Sequence, residues 1–230
     1  MTHPDDEISI CAWIHRLTRS GNQVYMSWTH SNPIREQEAR KVADLLGVPQ
    51  DNLFFLGATD GSVCDEIPLL LPKFKAMMEQ IKPHRVCCGA FEQGHIDHDS
   101  TIYLVSRTYS GPILEIPFYH TYTTRLQKLN RFSDPRGEEI LHLDVDEQAL
   151  KKRVARQYPS QNIWSVLLWY EAWQTARLKP IALAKTEQMR FLTHRDFRKP
   201  NHPSKLSRHI RRSKTWKRWR RALRAAERAA

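Results

Sequence analysis

Residues 23–57 read QVYMSWTHSNPIREQEARKVADLLGVPQDNLFFLG and hold one full cycle of the pattern that decides the fold. Gln23 to Thr29 has the β-branched and aromatic content of a strand. Ser31-Asn32-Pro33 supplies a cap and a first-turn proline for an amphipathic run, Ile34 to Leu46, which Gly47 closes. Leu53-Phe54-Phe55-Leu56-Gly57 is then a short apolar strand.

The cycle extends in both directions. Upstream, Ile8 to Ser20 places Ile10, Ala12, Ile14 and Leu17 among polar residues and stops at Gly21, as a capped helix does. Downstream, Leu69 to Ile81 is helical with Pro68 and Pro72 at its start, and Arg85 to Ala90 is a buried strand. A helix near Ser100–Arg107 and a strand at Ile113–Ile116, ended by Pro117, follow. Apolar strands alternating with helices give a parallel sheet covered on both faces. The expected class is α/β, a Rossmann-like, doubly wound, mostly parallel sheet. In such sheets the ligand site lies beyond the carboxyl ends of the strands. After residue 121 the pattern loosens; Glu147–Arg156 and Ile163–Ala176 read as helices. Trp164, Trp169, Tyr170 and Trp173 in the latter read as helix core.

The chain has 230 residues, 40% hydrophobic and 27% charged, enough for a core that needs no disulfide staples. No stretch approaches the roughly 18 apolar residues of a membrane span, and MTHPDDE has no secretory character, so a cytoplasmic location is expected. Cys11, Cys64, Cys87 and Cys88 lack CxxC spacing and read as small core residues. Charge divides unevenly. Residues 195–230 carry 14 basic and two acidic residues, a net of +12, and residues 1–194 carry 22 and 23, a net of −1.

Two polar clusters stand out at loops. The first is His3-Pro4-Asp5-Asp6-Glu7; the second is Gly94-His95-Ile96-Asp97-His98-Asp99, just after the Arg85–Ala90 strand. His3 and Asp6 are three residues apart, as are His95 and His98, so a single turn can aim each pair at one point. Either cluster alone reads as a solvated surface. Together, two imidazoles and a carboxylate drawn from both make an open three-ligand metal set. Zinc in such a set lowers the pKa of a bound water toward about 7, and leftover carboxylate and imidazole groups serve as base and acid. Iron(II) fits the same donors.

These two motifs resemble the paired HPDDE and HxDH motifs of the LmbE-like, or PIG-L, N-deacetylases. The resemblance continues through Arg35-Glu36-Gln37-Glu38-Ala39, Leu46-Gly47-Val48, Phe55-Leu56-Gly57 and Asp60-Gly61, and to Asp146–Gln161 with its Tyr158-Pro159-Ser160-Gln161 ending. It implies a zinc hydrolase that deacetylates N-acetylglucosamine-type conjugates. On that resemblance His3, Asp6 and His98 hold the metal and Asp5 is the general base. His95 polarises the carbonyl or protonates the leaving amine, Asp97 orients it, and Arg35 and Asp60 contact the substrate. The domain is expected to span 1–194. The family places an apolar strand before HPDDE; with two residues ahead of His3, the expectation is either a misassigned chain start or a sheet that lacks this strand. Cys11-Ala12-Trp13 replaces a usual glycine pair, and Ile96 a common proline. The alternatives are a different amide or S-conjugate hydrolase on the same site, or a degenerate binding protein that tethers through its tail.

That tail, 195–230, reads as a linker over Arg195–Pro203 and a basic amphipathic helice from Ser213. Trp216, Trp219 and Leu223 share one face. Over residues 205–230 it suits an anionic membrane surface, which would make the protein peripheral there. Nucleic acid is the rival partner, and packing of the tryptophans on the body is the simplest alternative.

Overall fold

The computed structural model describes residues 1–120, 122, 128–178, 183–192 and 194–229. Its elements, in chain order, are α1 (Cys11–Arg19), β1 (Met26–His30), α2 (Pro33–Leu46), β2 (Leu53–Ala58), α3 (Ile67–Ile81), β3 (Val86–Gly89), α4 (Ile96–Thr108), β4 (Ile113–Ile116), β5 (Tyr119–His120), β6 (Lys128–Leu129), β7 (Glu139–His142), α5 (Val145–Ala155), α6 (Ile163–Ala176), β8 (Thr186–Phe191), α7 (Ser204–Arg212) and α8 (Lys214–Ala229). The fold is α/β, as expected.

Three helix starts show how local chemistry sets these elements. Asn32 accepts from the main-chain N–H groups of Ile34 and Arg35 at 3.1 and 3.0 Å, with Pro33 first in α2. Gly47 then ends α2 in the left-handed conformation at φ +75°. Asp144 and Glu147 form a reciprocal capping box at α5. For α1 the preceding residue is Ile10, whose side chain cannot cap. Glu187 on β8 does so from 175 residues away, accepting from the N–H groups of Ala12 and Trp13, both at 2.9 Å. Lys151 of α5 pairs with the same carboxylate at 3.2 Å, so this buried charge is fully met.

The contacts divide the chain into two units. The first comprises Met1, His3–Gly57 and Glu139–Gln188. Here α1 packs on α2 and α5, around buried Ile14, Val42, Leu46 and Val154, and Trp28 stacks on Phe55 at 4.8 Å. β1 pairs with β2, and β7 lies beside β8. Among the described residues no strand precedes His3. Met1 itself bonds to β1: its amino group donates to the Ser27 carbonyl at 2.7 Å, and its own carbonyl accepts from Thr29 at 3.2 Å. α6 packs against α5. The core role expected of its aromatics is corrected for Trp169, which is 77% exposed; the side chain of Trp164 lies outside the described residues.

The second unit comprises Thr2, Ala58–Glu138 and Met189–Ala230. β3 and β4 pair in parallel, from Val86 opposite Ile113 to Gly89 opposite Ile116. β8, which has no counterpart in the sequence reading, joins β4 antiparallel with Glu115 opposite Arg190. Those two residues form a buried ion pair at 2.9 Å. Cys87 is half-buried rather than core, whereas Cys11, Cys64 and Cys88 are buried, and no disulfide joins them among the described residues.

The tail belongs to this second unit. Segment 195–203 is irregular, as expected, but Phe197 anchors it against Phe91 at 4.9 Å. Trp219 is fully buried, donates to the Phe197 carbonyl at 3.0 Å and meets Tyr103 edge-on at 5.8 Å. Trp216 and Leu223 are buried with it. The expectation that these tryptophans meet a membrane or stack on nucleic-acid bases is therefore corrected: their apolar face is already covered by α3 and the Phe91 cluster. Among the described residues no helix is long and apolar enough to cross a membrane.

Trp219→Ala should lower unfolding stability by about 3–5 kcal/mol, the cost of emptying a fully packed aromatic position. Urea denaturation followed by circular dichroism measures this. A solvated tail would leave the midpoint unmoved.

Candidate functional site

In the first unit, residues 3–9 form a tight turn followed by a short 3-10 helix, Asp6–Ser9. The Asp6 carboxylate turns back to accept from the His3 N–H at 2.9 Å, which ties the Asp6 side chain to the main chain at His3. The rings of His3 and His30 lie 5.7 Å apart. Asp5 has φ +130°, a conformation that L residues rarely adopt. Burial pushes its carboxyl well above the usual carboxylate range, the Asp6 charge adds to this, and the His3 and Arg35 cations pull it back. Arg35 is buried in the first turn of α2.

Glu7 is fully buried. It accepts from the Tyr158 hydroxyl, from Trp28 Nε1 at 3.4 Å and from the Asp5 N–H at 3.0 Å. Burial raises its pKa, and the Tyr158 hydrogen bond opposes the rise. Ser160, two residues beyond Tyr158, donates from its N–H and its hydroxyl to buried Glu38 on α2, at 3.0 and 2.6 Å. The Tyr158–Gln161 segment thus holds both the motif loop and the helix that carries Arg35. Neither contact was visible in the sequence, where Glu7 was the unassigned end of the motif; the resemblance to a YxSQ element was the available signal.

In the second unit the second motif opens α4. His95 is the N-cap residue, and its Nδ1 accepts from the Asp97 N–H at 3.3 Å. The neutral ring therefore carries its proton on Nε2, as a donor. The contact described between Asp97 and His95 is thus a main-chain one, whereas Asp97 Oδ2 accepts from the Gly61 N–H at 2.6 Å. Gly61 has φ +74°, the left-handed region that suits glycine, so Asp60-Gly61 forms the turn that meets Asp97. Asp60 itself is exposed. His98 is buried, 5.5 Å from the His95 ring and edge-on to Phe118 at 4.8 Å. A Cβ on Gly89 would fall 2.4 Å from Phe118, so the glycine ending β3 gives that ring its place behind His98. Asp99, next in line, is buried and accepts from the Gln93 N–H at 3.1 Å and from the Tyr122 hydroxyl.

Among the described residues, the side chains whose chemistry suits a metal ion are His3, Asp6 and His98, with His3, His95 and Asp97 as a second combination. The chemistry of the first set fits zinc: two imidazole nitrogens and one carboxylate oxygen, all on buried residues.

Residues 1–109 match the family model of PIG-L, the GlcNAc-PI de-N-acetylases. That span contains both polar motifs, and it bears out the resemblance. A search of curated proteins finds no match. Among solved structures, the N,N'-diacetylchitobiose deacetylase of Pyrococcus horikoshii, in complex with an inhibitor, is 18% identical with a TM-score of 0.55, over 83% of this chain and 80% of that one. The zinc-inhibited form of a teicoplanin deacetylase is 13% identical with a TM-score of 0.57, over 84% of this chain and 96% of its own. The deacetylase of the A40926 pseudoaglycone is 16% identical with a TM-score of 0.55, over 84% and 95%. At these identities the likeness is one of fold.

Glu92, buried at the end of the β3 loop, gives a pH signature. Burial pushes its carboxyl up to about 7, against the Ser133 N–H, which donates to it at 2.8 Å, and the Arg190 cation; the Glu115 charge adds to the rise. The stability gained from protonated Glu92 is complete below pH 4.5, its ordinary value, and is lost as pH rises through about 7. Glu92→Gln should remove about 3 kcal/mol of pH dependence across that window, read from denaturation midpoints at pH 5 and 8. Parallel profiles for the variant and the wild type would refute the assignment.

Proposed function

We propose that this chain is a metal-dependent hydrolase that removes an acetyl group from an N-acetylglucosamine-type conjugate. The observation that carries the reading is that a single deacetylase family match runs through both motifs, HPDDE and HIDH. The donor chemistry of His3, Asp6 and His98 supports zinc as the ion, with iron(II) able to use the same ligands. When bound, the ion supplies Lewis-acid polarisation of the acyl oxygen and makes water acidic enough to serve as a nucleophile near neutral pH.

The remaining steps fall to side chains. Asp5 takes the proton from the water as its oxygen attacks the acetyl carbon. His95, with its proton on Nε2, hydrogen-bonds the developing oxyanion, and the protonated Asp5 passes the proton it took from the water to the amine nitrogen as the C–N bond breaks. Acetate and a free amine leave. The Asp97 N–H holds the His95 ring through Nδ1, and the Asp97 carboxylate is itself fixed by Gly61. Arg35 contacts the substrate, and Asp60 one of its sugar hydroxyls.

Elemental analysis of the purified protein should find about one zinc per chain, lost in His98→Ala. Asp5→Ala should keep the zinc and lose about 10²–10⁴-fold in turnover of N,N'-diacetylchitobiose or a related N-acetyl sugar. A near-normal rate in Asp5→Ala would remove Asp5 from the role of base, and a metal-free wild type would remove the ligand set.

A further inference from the structure

Asp5 is strained and yet nothing in its own sequence neighbourhood forces the strain. A non-glycine residue at φ +130° and ψ −21° costs about 1–3 kcal/mol and persists only where the surroundings over-determine it. The turn hydrogen bonds from Asp6 N–H to the His3 carbonyl and from Ile8 N–H to the Asp5 carbonyl, both 3.2 Å, close the loop on either side. The Asp5 N–H itself is taken by Glu7 Oε2 at 3.0 Å.

Glu7 is in turn immobile. Its Oε1 accepts from the Tyr158 hydroxyl, and its Oε2 also faces Trp28 Nε1. Trp28 is fully buried against Phe55, and Tyr158 is 1% exposed and followed by the Ser160–Glu38 clamp. A carboxylate offers two oxygens that only accept, which is what three donors converging on one side chain require.

We propose that Glu7 and Tyr158 are a positioning pair: through the Glu7–Asp5 N–H bond they impose the strained main-chain conformation of Asp5 and so fix where its carboxylate points. The catalytic consequence rests on the reading of Asp5 as the base; the mechanical part does not. A misplacement of about 1 Å at a reacting group can cost 10²-fold, so the pair is worth far more to turnover than to substrate binding.

The first test is a stability cycle that needs neither substrate nor metal. Asp5→Ala removes the carboxylate and Asp5→Gly removes the Cβ as well, so the difference between them reads backbone strain. At an unstrained position glycine is the less stable of the two. Here Asp5→Gly should melt about 2–4 °C above Asp5→Ala in the otherwise native chain, and the advantage should vanish in a Tyr158→Phe background. An equal advantage in both backgrounds overturns the proposal.

The second test is kinetic, on the zinc-loaded protein with N,N'-diacetylchitobiose. Tyr158→Phe should lower kcat by about 10- to 100-fold with KM unchanged, with Glu7→Gln retaining part of the rate that Glu7→Ala loses. Trp219→Phe, which weakens packing in the second unit without touching Glu7 or its partners, should lose stability and keep kcat. Equal kcat losses in Tyr158→Phe and Trp219→Phe would mean a structural role only and overturn the pair. If the native chain turns over no acetyl substrate, the functional reading fails and the stability cycle alone decides the pair.

Discussion

A buried carboxylate must meet donors, because leaving one unpaired in a protein interior costs more free energy than a fold of this size can spare. This chain buries many, and the donors that meet them come from far along the sequence. Glu7 takes the hydroxyl of Tyr158, Glu38 both donors of Ser160, Glu187 the first N–H groups of α1, and Glu115 the guanidinium of Arg190. Each of these bonds is long-range, so each fixes one segment against another. The motif loop, the start of α1 and helix α2 in the first unit are all held in this way. Replacing any one acid by a small apolar residue would strand its donors as well as open a cavity.

That dependence explains what could and could not be read in advance. α2 was legible to the residue because its cap, proline, apolar stripe and closing glycine are all local. The two motifs were legible because three acids and an imidazole behind a proline, or two imidazoles three residues apart, have no structural use that composition explains. β8 was not legible. Thr186-Glu187-Gln188-Met189-Arg190-Phe191 is mostly polar, yet Glu187, Gln188 and Arg190 are buried. Strand reading relies on apolar periodicity, and this strand is stabilised instead by the ion pairs Glu187–Lys151 and Arg190–Glu115, which only the folded chain brings together. Where Cys11-Ala12-Trp13 replaces the usual glycine pair at the start of α1, Glu187 on β8 takes the N–H groups of Ala12 and Trp13.

The tail shows why net charge is a poor guide to partners. A sum of +12 over 36 residues invites an anionic surface, and two tryptophans on one helical face sharpen the invitation. The same pattern arises when a helix docks by its apolar face and leaves long cationic side chains in water. The docked face here is specific: Trp219 has an indole hydrogen bond as well as aromatic neighbours, and Arg218 pairs with Asp65 at 2.5 Å. Hydrophobic spacing measures what a helix buries. It does not say whether the burial is in lipid or in protein.

The two motifs reach rigidity by opposite routes, and the difference follows from where each sits in its own unit. His95 and His98 open a 13-residue helix, so their backbone is set by a regular hydrogen-bond ladder and a cap; the Asp97 N–H orients one ring and Phe118, admitted by Gly89, backs the other. His3 and Asp5 precede any regular element and Asp6 only opens a four-residue 3-10 helix, and a turn of this length has too few main-chain bonds to hold three side chains. Side-chain acceptors must then do what a helix does for the second motif. The only way for a loop to hold a rare backbone angle is to be surrounded by groups that are themselves fixed, and Glu7, Trp28 and Tyr158 are each buried and bonded in turn. A motif at a helix start can tolerate changes in its surroundings that the ladder absorbs; a motif in a strained turn cannot, and its tolerance to mutation should follow the packing around Glu7 rather than the local sequence.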